Sequence, residues 1–576
     1  MGGGRARPIL RSLALFVGLG SLAACGAPAP SAPAGPAPTR ETHDLGGPWE
    51  VWLDREGVGL RDDWVAALTA GRRPAGAPGQ PLTLGVPGPL EADSATLDYD
   101  GIAFYVRRFE APPGAEGSRG LLRFGQVNYA CRVWLDGAPV GEHEGGYEAF
   151  SFDLTGRLGP GPHVLVVRVV DPGAEPVDGL TLAATPHAKE SWYENSGGLL
   201  GPVSLELVRG WSLREGSLTV LVDATAGQER VMLSGELLAP PGGHAAEAPF
   251  ALRLRPADGA EDSGRRIEQR LAVSGQATPF FVELWARGAA RWSPESPALH
   301  RITLHAGGEL VAERTIGFRT LSIEGGDFRI DGVRRTLKGV LWQPHHTGTG
   351  GVTPPDDELR ATARAIRETG FDLVRAHVRP APPAFLDECD RIGLLVLEEP
   401  AIGWVQDDPG LRERLLREVS WMVERDRHHP AIVLWGVLNE LSGQAWRHAD
   451  ALVERVASLD GTRPVLEDSG AFLGQGRVRP PGAAASIPMI DRHAYPPYPL
   501  PIEERDALLG LRGLEGGLVF VSEFGYGALL DTEAALRPFT EAGKMFLGGG
   551  CGVDFSTASI CSIWPESRAF ANLLSW

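Results

Sequence analysis

The sequence predicts a multidomain chain: a β jelly-roll sandwich, an immunoglobulin-like β-sandwich, and a (β/α)8 TIM barrel in which no eighth strand is legible. Three observations predict this. Up to about residue 320 the chain carries short strand-like runs broken by turn residues, with few helical periods. From about residue 321, apolar runs alternate with amphipathic helical patterns, as parallel βαβ units require. Seven such runs fall within about 250 residues, which suits a barrel better than a doubly wound sheet.

The elements follow in order along the 576 residues. Residues 1–24 read as a lipoprotein signal peptide. Arg5, Arg7 and Arg11 form a basic start, and Ser12 to Ala23 is an apolar stretch too short to span a bilayer. Leu22-Ala23-Ala24-Cys25 resembles a bacterial lipobox, so Cys25 is expected to carry a lipid that ties the chain to the cell envelope. The alternative is an ordinary secretory signal cleaved near Ala24. Gly26, in place of Asp, points to outer-membrane sorting in a two-membrane bacterium. Residues 25–40, rich in Gly, Ala, Pro, Ser and Thr, read as a flexible tether.

Residues 41–209 form the expected jelly roll, with strands at Leu121–Phe124, Arg132–Leu135 and Val164–Val170 and turns at Asp136-Gly137 and Gly145-Gly146. Residues 210–320 form the expected immunoglobulin-like sandwich, with strands such as Leu218–Val222 and Arg301–Leu304. Residues 321–576 form the barrel. Its apolar runs are Leu337–Trp342, Phe371–Val374, Leu394–Leu397, Ile432–Leu438, Pro464–Leu466, Met489–Ile490 and Leu518–Val521. Leu411, Leu415, Leu416, Val419, Met422 and Val423 recur at helical spacing between two of them.

Composition removes several classes. With 43% hydrophobic and 22% charged residues the chain is not disordered as a whole. A formal net charge of −18 makes nucleic acid a poor partner. Apart from Cys25, the cysteines Cys131, Cys389, Cys551 and Cys561 show no C-x-x-C spacing, so neither a disulfide scaffold nor a zinc site is expected. His345-His346 and His428-His429 are adjacent pairs, whose rings should diverge rather than share a metal. No metal and no cofactor are expected.

Barrel enzymes carry their catalytic groups at the C-terminal ends of the strands. Asn439-Glu440 follows the fourth run and Ser522-Glu523 the seventh. Two carboxyl groups on opposite walls of a barrel mouth are what glycosidic bond cleavage needs. One protonates the leaving oxygen, and the other attacks the sugar in the retaining mechanism.

Residues 45 to about 545 resemble glycoside hydrolase family 2, which includes β-galactosidases, β-glucuronidases and β-mannosidases. The resemblance rests on Leu45-Gly46-Gly47-Pro48-Trp49, Gly101-Ile102-Ala103-Phe104-Tyr105, Val133-Trp134-Leu135-Asp136-Gly137, the Gly141–Tyr147 segment and the Gly197–Val203 segment in the first block. In the second it rests on Trp292–Pro297 and Gly317-Phe318-Arg319, and in the third on Arg425–Trp435 with Asn439-Glu440, then Ser522-Glu523-Phe524-Gly525.

The resemblance implies a retaining exo-β-glycosidase acting on terminal β-linked sugars, with a β-galactoside or β-glucuronide favoured. It implies Glu440 as acid/base, with a raised pKa, and Glu523 as nucleophile. It implies that Asn439 binds the sugar 2-hydroxyl and that Arg375 keeps Glu523 ionised. His377 is a further site candidate. Tyr495 would donate to the nucleophile, and His493 would touch a sugar hydroxyl. Trp342 and Trp404, after the first and third runs, are either apolar walls for a sugar face or core. The chain departs from the family in three ways. His428 stands where the family's Arg-Asp-x-Asn-His-Pro pattern has Asn. The Asn-x-Lys element of β-glucuronidases is absent. Residues 545–576 show no eighth strand, so the barrel is expected to be C-terminally incomplete. A second reading therefore stands beside the first: a carbohydrate-binding lipoprotein whose barrel does not catalyse. An esterase is not supported, since no Gly-x-Ser-x-Gly elbow is present.

Overall fold

The structure, a computed structural model, describes residues 39–524 except 78, 188–195, 244–245, 260–264, 274–276, 345–351, 441–442, 471–475, 496–500 and 511–517. The signal peptide, Cys25, most of the tether, His345-His346, Cys551, Cys561 and the C-terminal segment 545–576, where no eighth strand was legible, lie outside the described residues.

The first block is two antiparallel sheets over one core. The four-stranded sheet has the order Arg40–Asp44, Val203–Val208, Arg119–Phe124, Phe150–Asp153. The six-stranded sheet has the order Leu82–Val86, Gly47–Asp54, Gly101–Glu110, Pro162–Asp171, Ala130–Leu135, Ala138–Glu144. Leu122, Phe124, Leu205 and Leu207 of one sheet meet Trp49, Tyr105, Val133 and Val167 of the other. The outer face of the larger sheet is covered as well. The helix Trp64–Thr69, which the sequence pattern did not reveal, packs Trp64 and Leu68 with Phe104 and Val166. Burial on both faces is why Val164–Val170, broken only by the buried Arg168, reads as apolar rather than alternating. Ladder pairing starts at Arg40, opposite Val208, so the last residue of the predicted tether is already sheet. Asp136 and Gly137, with φ of 52° and 80°, form the two-residue turn between Ala130–Leu135 and Ala138–Glu144.

The second block holds two antiparallel four-stranded sheets. One contains Ser212–Leu213, Thr219–Asp223, Arg230–Leu238 and Thr278–Trp285. The other runs Arg265–Val273, Ala246–Pro256, His300–Ala306, Glu309–Ile316. Val231, Leu233, Phe250, Leu252, Ile302 and Leu304 form the core between them. Alternation of strand and helix does not begin at 321 as expected. A small antiparallel sheet, Leu321–Glu324, Asp327–Ile330 and Val333–Arg334, comes first.

The third block is an eight-stranded sheet. Its parallel strands are Gly339–Trp342, Leu373–Ala376, Leu395–Glu398, Ile432–Gly436, Val465–Leu466, Ile487–Ala494 and Leu518–Phe524, one for each predicted apolar run. An eighth strand, Gly476–Arg479, lies antiparallel between the fifth and sixth of these. Its Gly-Arg-Val-Arg sequence is too short and polar to announce itself. The helices Asp356–Glu368, Pro383–Ile392, Leu411–Asp426, Ala449–Leu459 and Ile502–Gly510 alternate with the strands. The sheet is rolled. The second and last strands of its order are six steps apart, roughly 29 Å in a flat sheet at ~4.8 Å per step. Yet Arg375 of one hydrogen-bonds Glu523 of the other at 3.2 Å.

Polar contacts tie the blocks together. Arg414 and Arg417 of the helix Leu411–Asp426 reach Glu144 at 3.0 and 2.9 Å. Trp292 Nε1 donates to the Asp390 carbonyl at 2.8 Å, and the buried Arg319 donates to the Pro430 and Ile432 carbonyls. His428 and His429 do not diverge. Their rings lie 4.2 Å apart, because they sit in the turn after that helix, and His429 Nδ1 is committed to Asp390 at 2.7 Å.

Glu418 on the same helix is buried, and burial, with Glu148 nearby, pushes its carboxyl up to about 7. An acid whose folded value lies above its unfolded value of about 4.3 contributes stability below that value, and the contribution is lost as pH rises through about 7. Glu418→Gln is therefore expected to raise the melting temperature at about pH 8 and to leave it nearly unchanged at about pH 4, as read by calorimetry. An equal effect at both pH values would refute it.

Candidate active site

The barrel strands end in polar residues, and the roll of the sheet brings several of these ends to one point. Glu523, near the end of the seventh parallel strand, is 5% exposed. Its Oε1 accepts from Arg375 Nη1 at 3.2 Å, and its Oε2 accepts from the Tyr495 hydroxyl. His493 Nε2 lies 3.4 Å and His377 Nε2 3.9 Å from Oε1. Glu440, just past the fourth strand, has φ 47°, a left-handed backbone rare for a residue with a side chain. Its amide donates to the Ser469 carbonyl at 2.9 Å, and its Oε1 meets His493 Nδ1 at 2.6 Å. His493 thus stands between the two carboxylates. One oxygen of Glu440, one of Glu523 and a ring nitrogen of His493 all lie within 4.8 Å of one another. Retaining glycosidases hold their carboxyl groups roughly 5–5.5 Å apart, inverting ones about 6.5–9.5 Å. The same three donors could converge on a cation.

Arg375 organises the floor. Its Nε and Nη2 fork onto Glu399 at 2.9 and 3.3 Å, and Nη2 also reaches Asn439 Oδ1 at 2.6 Å and the Ser469 hydroxyl. Burial would lower the pKa of this guanidinium, but Glu399 and then Glu523 outweigh burial and hold it above its ordinary value. Burial would likewise raise Glu399, but Arg375, then His377, bring it down to about 2. Burial, then Glu523, pushes the Tyr495 hydroxyl above its ordinary value, so it stays a donor. Asn439 is fully buried. Its Oδ1 is taken by Arg375 and by Ser469 Oγ at 2.8 Å, while its Nδ2 has no acceptor among the described residues. That leaves a preorganised donor for a ligand.

Seven predicted residues therefore meet: Glu440, Glu523, Asn439, Arg375, His377, His493 and Tyr495. His493 meets both carboxylates. Trp342, at the end of the first strand, stacks on buried Phe385 with centroids 4.0 Å apart, and its carbonyl accepts from the His377 amide. Trp404 is 37% exposed. The sequence reading passed over Glu399, Ser469 and Asp491. Asp491 accepts from the Ser522 amide at 3.1 Å, the Ser522 hydroxyl at 2.8 Å and the Gly470 amide at 2.9 Å, so it fixes the residue before Glu523. Glu399 could have been found by the strand-end rule that found Glu440, since it follows Leu394–Leu397 by two residues.

Comparison with known proteins gives the same outline. Residues 42–182 match the family model described as the sugar binding domain of glycosyl hydrolases family 2, and residues 321–477 match that family's TIM barrel domain. The chain is 29% identical over 371–373 residues to two proteins of Enterobacter cloacae, named Beta-galactosidase and Beta-galactosidase 2; each match covers 60% of this chain and 34% of the relative. It thus spans about a third of the length of those relatives. Among solved structures it resembles a Bacteroides uniformis β-glucuronidase in fold, with a TM-score of 0.68 at 20% identity over 85% of this chain and 60% of that one.

Proposed function

Because the chain belongs to glycoside hydrolase family 2, we propose that it hydrolyses terminal β-linked sugars, a β-galactoside or a β-glucuronide, by a retaining two-carboxylate mechanism. The observation that carries the reading is the approach of Glu440 and Glu523 to within 4.8 Å, at the ends of two strands brought together by the roll of the sheet. In the first step Glu523 attacks the anomeric carbon. The glycosidic C–O bond breaks as Glu440 gives its proton to the leaving oxygen. Glu523 is then an ester and Glu440 a carboxylate. In the second step water attacks the same carbon, Glu440 takes the water proton, and Glu523 leaves with its negative charge restored. Arg375 and Tyr495 stabilise that charge, and Asn439 Nδ2 is free to meet the 2-hydroxyl. No cofactor enters this scheme.

Within this proposal the first block acts as a sugar-binding jelly roll and the second as an immunoglobulin-like spacer, their limits near 41–209 and 210–320. Lipid attachment at Cys25, and so a place on the cell envelope, belongs to it as well. The support is the Arg5–Arg11 basic start and the Leu22–Cys25 motif. Incorporation of labelled palmitate that persists in Cys25→Ser would refute it.

The test is incubation with activated 2-deoxy-2-fluoro-β-galactoside and -β-glucuronide, followed by peptide mass mapping, beside a hydrolysis panel of aryl β-galactoside, β-glucuronide, β-mannoside and β-glucoside. Turnover of one sugar with a label on Glu523 is expected. A folded protein with neither would overturn the proposal. Glu440→Ala supplies a further prediction. A good leaving group needs no proton, so the loss of kcat/KM should be about 10²–10⁴-fold for an alkyl glycoside and far smaller for a dinitrophenyl glycoside. Equal losses on both substrates would remove Glu440 from the acid role.

A further inference from the structure

A cleft of about 520 Å³ lies between the first block and the outer side of the barrel helix Leu411–Asp426. None of its lining residues belongs to the catalytic cluster. One wall is Glu148, from the segment joining Ala138–Glu144 to Phe150–Asp153. The opposite wall comes from the helix and from Arg455 on its neighbour. Its size falls within the range of about 300–1,000 Å³ usual for small-molecule sites, and such sites favour junctions between domains.

The walls are cross-braced, with one exception. Trp421 lines the cleft while the Arg425 guanidinium lies 4.6 Å over its ring, itself held by Asp426 at 2.7 Å, so the indole is fixed in place. Arg417 is tied to Glu144 at 2.9 Å. Arg455 Nε donates to Ser420 Oγ at 2.7 Å, and Arg455 Nη2 lies 3.5 Å from Glu424. Glu148 has no hydrogen bond or ion pair among the described residues, and burial pushes its carboxyl up to about 7. Arg417 lies near enough to lower that value in part, but a half-buried carboxyl without a hydrogen bond is costly unless something else supplies donors.

We propose that this cleft is a second carbohydrate-binding site, for a neutral saccharide. A sugar ring has an apolar C–H face for the part of the indole that lines the cleft outside the Arg425 stack, and paired hydroxyls for planar carboxylates and guanidinium groups. Its hydroxyls would supply the donors Glu148 lacks. Both arginines of the lining are already paired, Arg417 with Glu144 and Arg455 with Glu424, so neither is left over to select an anionic ligand. The site would hold a glycan chain away from the catalytic mouth.

The test is calorimetric titration of the full chain carrying Glu523→Gln with lactose, cellobiose and mannobiose, and with a uronic-acid disaccharide for contrast. Glu148→Ala and Arg455→Ala are each introduced into this chain, with circular dichroism as the check on folding. At least one neutral disaccharide is expected to bind, and each substitution to weaken that binding about tenfold or more. In the chain that retains Glu523 the same substitutions should leave kcat on an aryl glycoside unchanged. Absence of binding by every neutral sugar at millimolar concentration would overturn the proposal. So would binding indifferent to both substitutions, or a preference for the uronic acid that either substitution removes.

Discussion

Replacing Glu523 with Gln is expected to lower kcat/KM on the preferred aryl glycoside by at least about 10⁴-fold, equivalent to ~5 kcal/mol of transition-state stabilisation. The amide is nearly isosteric, so its oxygen can still accept from Arg375 and the barrel can close around it. It has no charge to form the glycosyl ester, and it offers Arg375 no counter-charge as the sugar departs. Arg375 keeps its fork on Glu399 at 2.9 and 3.3 Å, so the protein should remain folded and melt within a few degrees of the parent. Steady-state kinetics beside a thermal melt check this. Retention of more than about a tenth of the activity, well short of the loss expected for a nucleophile, would show that another group attacks the sugar.

Arg375→Met should damage both stability and chemistry. The residue is 3% exposed and lies between Glu399 and Glu523. Removing it strands two buried carboxylates, which is expected to cost about 3–5 kcal/mol in urea unfolding. Without the cation both carboxylates ionise only at higher pH. The acidic limb of kcat/KM should therefore move to higher pH, in the direction of lost activity at neutral pH. Arg375→Lys keeps a charge but not the fork that meets Glu399, Asn439 and Glu523 together, so it should lie between the two. An acidic limb that stays in place in Arg375→Met, measured on protein that remains folded, would show that other groups keep the nucleophile ionised.

The sequence alone made the barrel strands legible and singled out the two glutamates that the rolled sheet brings together, and the reason is physical. A parallel strand covered on both faces must be apolar without interruption, so Ile432–Leu438 and Leu518–Val521 stand out, and a carboxylate directly after such a run stands out with them. The helix Leu411–Asp426 was legible because only one of its faces is buried. The side chains that touch the two glutamates, Arg375, His493 and Tyr495, came with the family resemblance, and Glu399 lies at a strand end. Ser469 and Asp491 have ordinary local contexts, and only the rolled sheet shows that Glu399 shares Arg375 with Glu523, or that Asp491 braces Ser522. The strand Gly476–Arg479 carries two arginines in four residues and pairs only because its neighbours leave it a place. Periodicity along a chain records which faces are buried. It does not record which buried polar group faces which, and here the curvature of the sheet decides that.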